Sequence, residues 1–191
     1  MNGDQVAEIY QLLLEHNIDA WLQGGWGVDA LLGRQTRDHK DLDLLINVDD
    51  VARLLELLEA RGFQLKYAWE ENRWIVADGR SLPTAFVSGH QDGRELDFHA
   101  ARFNDRGVGV PAWNAERVFS PEDVAGQGVV NGVPVRCYSA EMQMRTHVGY
   151  ELPSFQVDDL RLLHEVSGVD YPKAIATLHA GGTRRSSDGR P

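Results

Sequence analysis

Acid alternates with leucine in Asp41-Leu42-Asp43-Leu44, ahead of Leu45-Ile46, and this hexapeptide constrains the fold more than any other segment. In an extended strand the side chains at i and i+2 share a face, so Asp41 and Asp43 project together while Leu42 and Leu44 enter a core. The segment is a largely buried strand whose first turn of the pleat carries two carboxylates to one spot. The same period in Glu95-Leu96-Asp97-Phe98-His99 sets Asp97 and His99 on one face and Leu96 and Phe98 on the other. Asp97 is a third candidate carboxylate. His99 beside it is a candidate to orient substrate or assist proton transfer.

Three unpaired carboxylates on one sheet face repel one another and hold on to protons unless cations neutralise them. Hard oxygen ligands of this kind suit Mg²⁺, and paired cations about 3.5–4 Å apart clamp the attacking and leaving oxygens of an in-line displacement at phosphorus. Phosphoryl or nucleotidyl transfer is the chemistry implied. Gly24-Gly25 stands between a short apolar run, Ala20-Trp21-Leu22-Gln23, and a helix expected over residues 26–32. Without side chains there, phosphate oxygens can approach backbone N–H groups at a helix N-terminus. Arg34, Arg37, His39 and Lys40 crowd the loop that follows, and Arg37 and His39 are the candidates for phosphate contact.

Those cations matter because the chain as a whole is acidic: 29 Asp and Glu against 19 Lys and Arg, a formal net charge of -10. Such a surface repels nucleic acid and anionic membranes and suits a cationic small-molecule substrate. The single cysteine, Cys137, excludes an intrachain disulfide and reads as a packing residue in a reducing compartment. No basic leader precedes an apolar run and no segment approaches a membrane span, so the expected location is the cytoplasm. The seven histidines form no His-x-x-x-His pair that would suggest zinc.

Apolar periodicity gives the remaining elements. A first helix is expected over residues 4–16 and a third over 51–61, with strands near 20–23, 41–46, 63–68, 73–77, 83–88, 94–99 and 133–138. The four strands between 63 and 99 read as an antiparallel meander, and residues 100–131, rich in Gly, Asn, Asp and Pro, as a long loop with little regular structure. Helices follow from Ser139 to about Tyr150 and over 156–167. The fold class is α+β, one mixed sheet flanked by helices. A domain over residues 1–138 carries the chemistry, a helical segment over 139–179 packs on it, and the polar tail 180–191 is expected to be disordered.

Gly24-Gly25-Trp26-Gly27-Val28-Asp29 followed by Thr36-Arg37-Asp38-His39-Lys40-Asp41-Leu42-Asp43 resembles the small antibiotic nucleotidyltransferases of the polymerase-beta-like superfamily. The resemblance continues through Glu95–His99, Cys137-Tyr138-Ser139 and His147–Tyr150 to Asp158-Asp159-Leu160, covering roughly residues 8 to 163. It implies that Asp41 and Asp43 ligate Mg²⁺, and that Asp97 either joins the metal site or takes the proton from the attacking hydroxyl. The reaction implied is attack by a substrate hydroxyl on the α-phosphorus of ATP or another NTP, with release of pyrophosphate. Two branches compete, the lincosamide nucleotidyltransferases and the aminoglycoside 2''-adenylyltransferases. The aminoglycoside branch usually places another carboxylate two residues after the proposed base, where this chain has His99. Tyr150 also resembles the lincosamide branch, so a lincosamide is the favoured acceptor and the aminoglycoside reaction the alternative. Trp69, Trp74 and Trp113 are further candidates to line an acceptor pocket. A non-catalytic nucleotide-binding antitoxin or regulatory protein is the competing class, weakened by retention of all three aspartates. The residues do not decide whether two copies form a homodimer around the cleft.

Overall fold

A computed structural model of the chain describes residues 1–77, 79–148 and 150–171. The proposed tail 180–191 lies outside them. Helix α1 (Gly3–Glu15) begins with a capping box in which Asn2 and Gln5 each satisfy the other's backbone N–H. It lays Val6, Ile9, Tyr10 and Leu13 on the sheet. Strand β1 (Ala20–Leu22) leads directly into α2 (Gly24–Leu32), and β2 (Leu42–Asn47) passes through a 3₁₀ turn (Val48–Asp50) into α3 (Val51–Ala60). Strands β3 (Phe63–Ala68), β4 (Ile75–Ala77), β5 (Arg80–Leu82), β6 (Ala85–His90) and β7 (Glu95–Phe103) follow, then β8 (Gly109–Pro111), β9 (Gly126–Val130), β10 (Val133–Cys137), α4 (Ala140–Thr146) and α5 (Ser154–Ser167).

The principal sheet runs β3-β6-β7-β2-β1-β10-β9, with β8 added beside β7. It is mixed, as expected: β2 is parallel to β7 and β1 to β10, and the other neighbours are antiparallel. One face packs Leu42, Leu44, Ile46, Leu96, Phe98 and Phe86 against α1 and α3, with Phe86 and Phe98 stacked at 5.2 Å. The other face becomes apolar only past the acids, where Leu45 and Ala101 join Trp21, Phe119 and Tyr138 in a second cluster. A third cluster, Val28 with Met144, Leu152, Leu160 and Leu163, seats α4 and α5 on α2. Cys137 is fully buried, and burial pushes its thiol up to about 12, which keeps it neutral and inert. Among the described residues no helix is long and apolar enough to cross a membrane.

Three expectations need correction. The second helix starts at Gly24, not Trp26, so the glycine pair forms its first turn. The meander is interrupted: β3 pairs directly with β6, and β4 and β5 leave the sheet as a separate two-stranded ribbon. Half of the supposed loop 100–131 is ordered into the end of β7, β8, a 3₁₀ turn (Pro121–Val124) and β9. Its glycines and prolines mark the breaks between short strands, and cross-strand pairing with distant partners decides the strands themselves.

Candidate active site

The parallel register of β2 and β7 sets Asp43 directly beside Asp97 and Leu45 beside His99, which brings two of the three expected carboxylates together. Asp43 lines a cavity of about 1350 Å³ together with Gln23, Gly24, Trp69, Glu71 and His99. Asp41 immediately precedes β2. Burial pushes the Asp43 carboxyl up to about 8, reinforced by the charges of Asp41 and Asp97 and opposed by Arg37. Burial raises Asp97 too, partly offset by His99 and by the Trp69 indole, which donates to both Asp97 oxygens at 3.0 and 3.2 Å.

These carboxylates are short of positive charge, which is the chemistry a divalent cation relieves. Among the described residues no three His, Cys, Asp or Glu side chains form a ready-made metal cage. An open acidic face of this sort fits Mg²⁺, which keeps waters and binds through one or two carboxylates plus substrate phosphates.

The glycine pair is dictated by the acids and the basic loop. At Gly24, with φ of +57°, a Cβ would stand 2.2 Å from Asp43 Oδ2, and at Gly25 it would stand 2.3 Å from His39 Nδ1 and 2.7 Å from Arg37 Nη2. Gln23, the residue before α2, offers no side-chain cap, and the first helical turn holds no acid. The N-terminus of α2 therefore presents uncapped N–H groups and positive dipole to the cavity at Gly24.

Arg37 and His39 do come against Gly25, but not as free cations. Arg37 donates in bidentate fashion to Asp159, 3.1 Å from Nε and 2.7 Å from Nη2, and lies 4.6 Å over the Phe155 ring. His39 is buried, its Nε2 2.5 Å from Asp29 Oδ2, while Asp29 Oδ1 accepts from the Thr36 hydroxyl at 2.5 Å. Both residues hold the loop before β2, and Arg37 also fastens α5 to it. Removing Arg37 strands the buried Asp159 carboxylate, so Arg37→Ala is expected to lower stability by about 3 kcal/mol. Asp159→Asn leaves a partly exposed guanidinium that water can serve, and a smaller fall in melting temperature is expected from the same thermal scan.

Of the aromatic candidates, Trp69, Trp113 and Tyr150 line the cavity with His99. Tyr150 is half exposed, its hydroxyl donating to Gln156 at 3.1 Å. Trp74 does not join them and lies in a separate cleft beside Leu55 and Arg80. Sequence reasoning missed Glu71, Arg117, Asp123 and Arg145, which also line the cavity, and Asp123 pairs with Arg145. They come from turns and a helix with no motif spacing, so nothing local marked them. His147, also on the wall, is held by the Gln143 carbonyl at 2.7 Å, and burial lowers its pKa below the usual imidazole value.

A family described as Aminoglycoside-2''-adenylyltransferase matches residues 5–163. A lincosamide resistance protein of Staphylococcus haemolyticus is 29% identical over 159 residues, spanning 81% of this chain and 90% of that protein. A 2''-aminoglycoside nucleotidyltransferase of Klebsiella pneumoniae is 32% identical over 144 residues, 74% of this chain and 71% of that protein. The lincomycin-bound crystal structure of the lincosamide antibiotic adenylyltransferase LnuA superposes with a TM-score of 0.72 at 26% identity, covering 85% of this chain and 96% of that one.

Proposed function

This chain belongs to the aminoglycoside-2''-adenylyltransferase family, and from that premise we propose that it moves AMP from ATP to a hydroxyl of a lincosamide and releases pyrophosphate. The observation that carries the reading is the pairing of Asp43 with Asp97 on adjacent parallel strands, with Asp43 lining a cavity that also reaches Gly24 at the uncapped start of α2.

Asp41 and Asp43, with Asp97 near them, would hold Mg²⁺, which supplies charge neutralisation for the phosphates and the developing oxyanion. Gly24 and Gly25 leave room for the triphosphate against the helix N-terminus. The loop fixed by Arg37 and His39 shapes that seat. Arg117, on the cavity wall, is a cation available to the phosphate charge, whereas Arg145 is committed to Asp123. The acceptor hydroxyl oxygen forms a bond to the α-phosphorus as the bond to pyrophosphate breaks. Asp97, raised in pKa by its burial and steadied by the Trp69 indole, accepts the proton. Holding both reactants in one cavity supplies much of the rate.

A lincosamide suits the acceptor end because the wall there is aromatic, with Trp69, Trp113 and Tyr150, and because one of its carboxylates, Asp123, is already neutralised by Arg145. The acidic net charge of -10 favours any cationic acceptor over a polynucleotide. The test is pyrophosphate release from ATP and Mg²⁺ with lincomycin, clindamycin, kanamycin or gentamicin, followed by mass spectrometry of each drug. A gain of one AMP on a lincosamide is expected. Gain on an aminoglycoside alone would keep the reaction and overturn the acceptor, and no gain on any drug with any NTP would overturn both.

A further inference from the structure

Among the described residues the cavity wall carries three carboxylates, Asp43, Asp123 and Glu71. Asp43 belongs to the carboxylate face, and Asp123 is committed to Arg145 and to the Ser120 amide at 2.9 Å. Glu71 is placed differently. It contacts His99, with Nε2 at 3.4 Å, and its side chain, on the cavity wall, remains 44% exposed. A carboxylate so placed can still accept hydrogen bonds from a bound ligand.

The turn that carries Glu71 is fixed before any ligand arrives. The Trp69 amide donates to the Ala85 carbonyl at 3.0 Å, and the Trp69 carbonyl accepts from the Asn72 amide at 3.0 Å. Asn72 Oδ1 accepts from the amides of Thr84 at 2.7 Å and Ala85 at 3.1 Å, while the Thr84 hydroxyl donates to the Arg73 carbonyl at 2.7 Å. This stapling of residues 69–73 to the start of β6 lowers the ordering entropy that a ligand of Glu71 would otherwise have to overcome.

We propose that Glu71 receives the protonated amine of the acceptor, with Trp69 and Trp113 as the aromatic wall of that subsite. The inference rests on the reading above that the acceptor is a small cation. Aromatic faces and one partly exposed carboxylate are the combination that binds an alkylammonium group. The His99 ring spans the distance to the reaction: its Nδ1 lies 3.5 Å from Asp97 and its Nε2 3.4 Å from Glu71, while Trp113 meets the same ring edge-on at 4.7 Å. An acceptor anchored by its ammonium on Glu71 thus has its hydroxyl-bearing part at Asp97, separated from the anchor by the imidazole and its contacts of 3.4 and 3.5 Å. A substrate with a single amine needs one such carboxylate.

The test is calorimetric titration of lincomycin and, separately, tobramycin into the full chain without nucleotide, at low and at high salt, with AMP transfer measured on the same preparations. Glu71→Gln keeps the shape and removes the charge, and is expected to weaken lincomycin binding about tenfold and to flatten its salt dependence. Glu71→Lys is expected to weaken it by about a hundredfold or more through repulsion. Lincomycin affinity within twofold of the unaltered chain in Glu71→Gln overturns the proposal, as does failure of the unaltered chain to bind either drug. Charge-dependent binding without AMP transfer would leave Glu71 in place and refute the proposed reaction. AMP transfer that ignores Glu71 would do the reverse.

Discussion

Asp43→Asn is expected to cut AMP transfer by on the order of 10³-fold, equivalent to about 4 kcal/mol of lost transition-state stabilisation, and at the same time to make the metal-free protein more stable. Asn fills the same space but gives up the anionic oxygen, so both effects have one cause. Burial, with Asp41 and Asp97, pushes the Asp43 carboxyl up to about 8 in the folded chain, against roughly 3.9 for an aspartate in an unfolded one. Between those values the folded state keeps a proton that the unfolded state has released, so stability falls as pH rises from about 4 to about 8. Asp43→Asn has no proton to lose. With a discount for the partial exposure of the site, it is expected to gain about 2 kcal/mol at pH 8, some 4–8 °C in melting temperature for a chain of this size. The gap should narrow as the pH is lowered to 5. Mg²⁺ should raise the melting temperature of the unaltered chain more than that of the variant. Thermal scans across pH, with and without Mg²⁺, beside an activity assay, decide the matter. A variant that is active, or that melts lower than the parent at pH 8, would remove Asp43 from the role given to it.

Gly24→Ala is expected to cut activity by about a hundredfold, for a steric reason. The new Cβ would enter at 2.2 Å from Asp43 Oδ2 on a residue whose φ is +57°. The left-handed conformation costs a non-glycine residue about 1–2 kcal/mol, and the collision forces the carboxylate or the first turn of α2 to move. A shift of about 1 Å in a reacting group can cost about a hundredfold in rate. Gly33 offers the control, since it also has positive φ, +68°, but a Cβ there meets nothing within 4 Å. Gly33→Ala should lose only the backbone term in stability and keep its turnover. Equal loss of activity in both variants would show that backbone strain, and not the seat at Asp43, accounts for the effect.

Much of the site was legible from local pattern. Period-2 alternation in 41–46 and 95–99 is a property of any extended chain with one buried face, and it put Asp43, Asp97 and His99 on one shared face before any contact was known. The Gly-Gly pair pointed to a close approach, although only the structure shows that Asp43, His39 and Arg37 are what would be struck. The roles of those last two residues were the harder inference. A positive side chain next to a proposed phosphate looks free in sequence, and its partner Asp159 is 122 positions away. The strands inside 100–131 escaped for a related reason: three- and five-residue strands have little periodicity of their own and exist because β7 and β10 pair with them.

By itself, then, the sequence determined the elements whose apolar spacing repeats within a few residues, the shared face of Asp43 and Asp97, and the acidic balance of the chain. Those are consequences of backbone periodicity and of summed charge, which do not depend on where the chain later goes. Tertiary structure alone decided that Asp43 and Asp97 become neighbours by parallel register, and that Asp29 and Asp159 take up His39 and Arg37. It also decided that Trp69 and Glu71 arrive at the cavity on a stapled turn. Hydrogen bonds and ion pairs of that kind close loops of tens of residues, and their partners are chosen by the packing of the whole sheet.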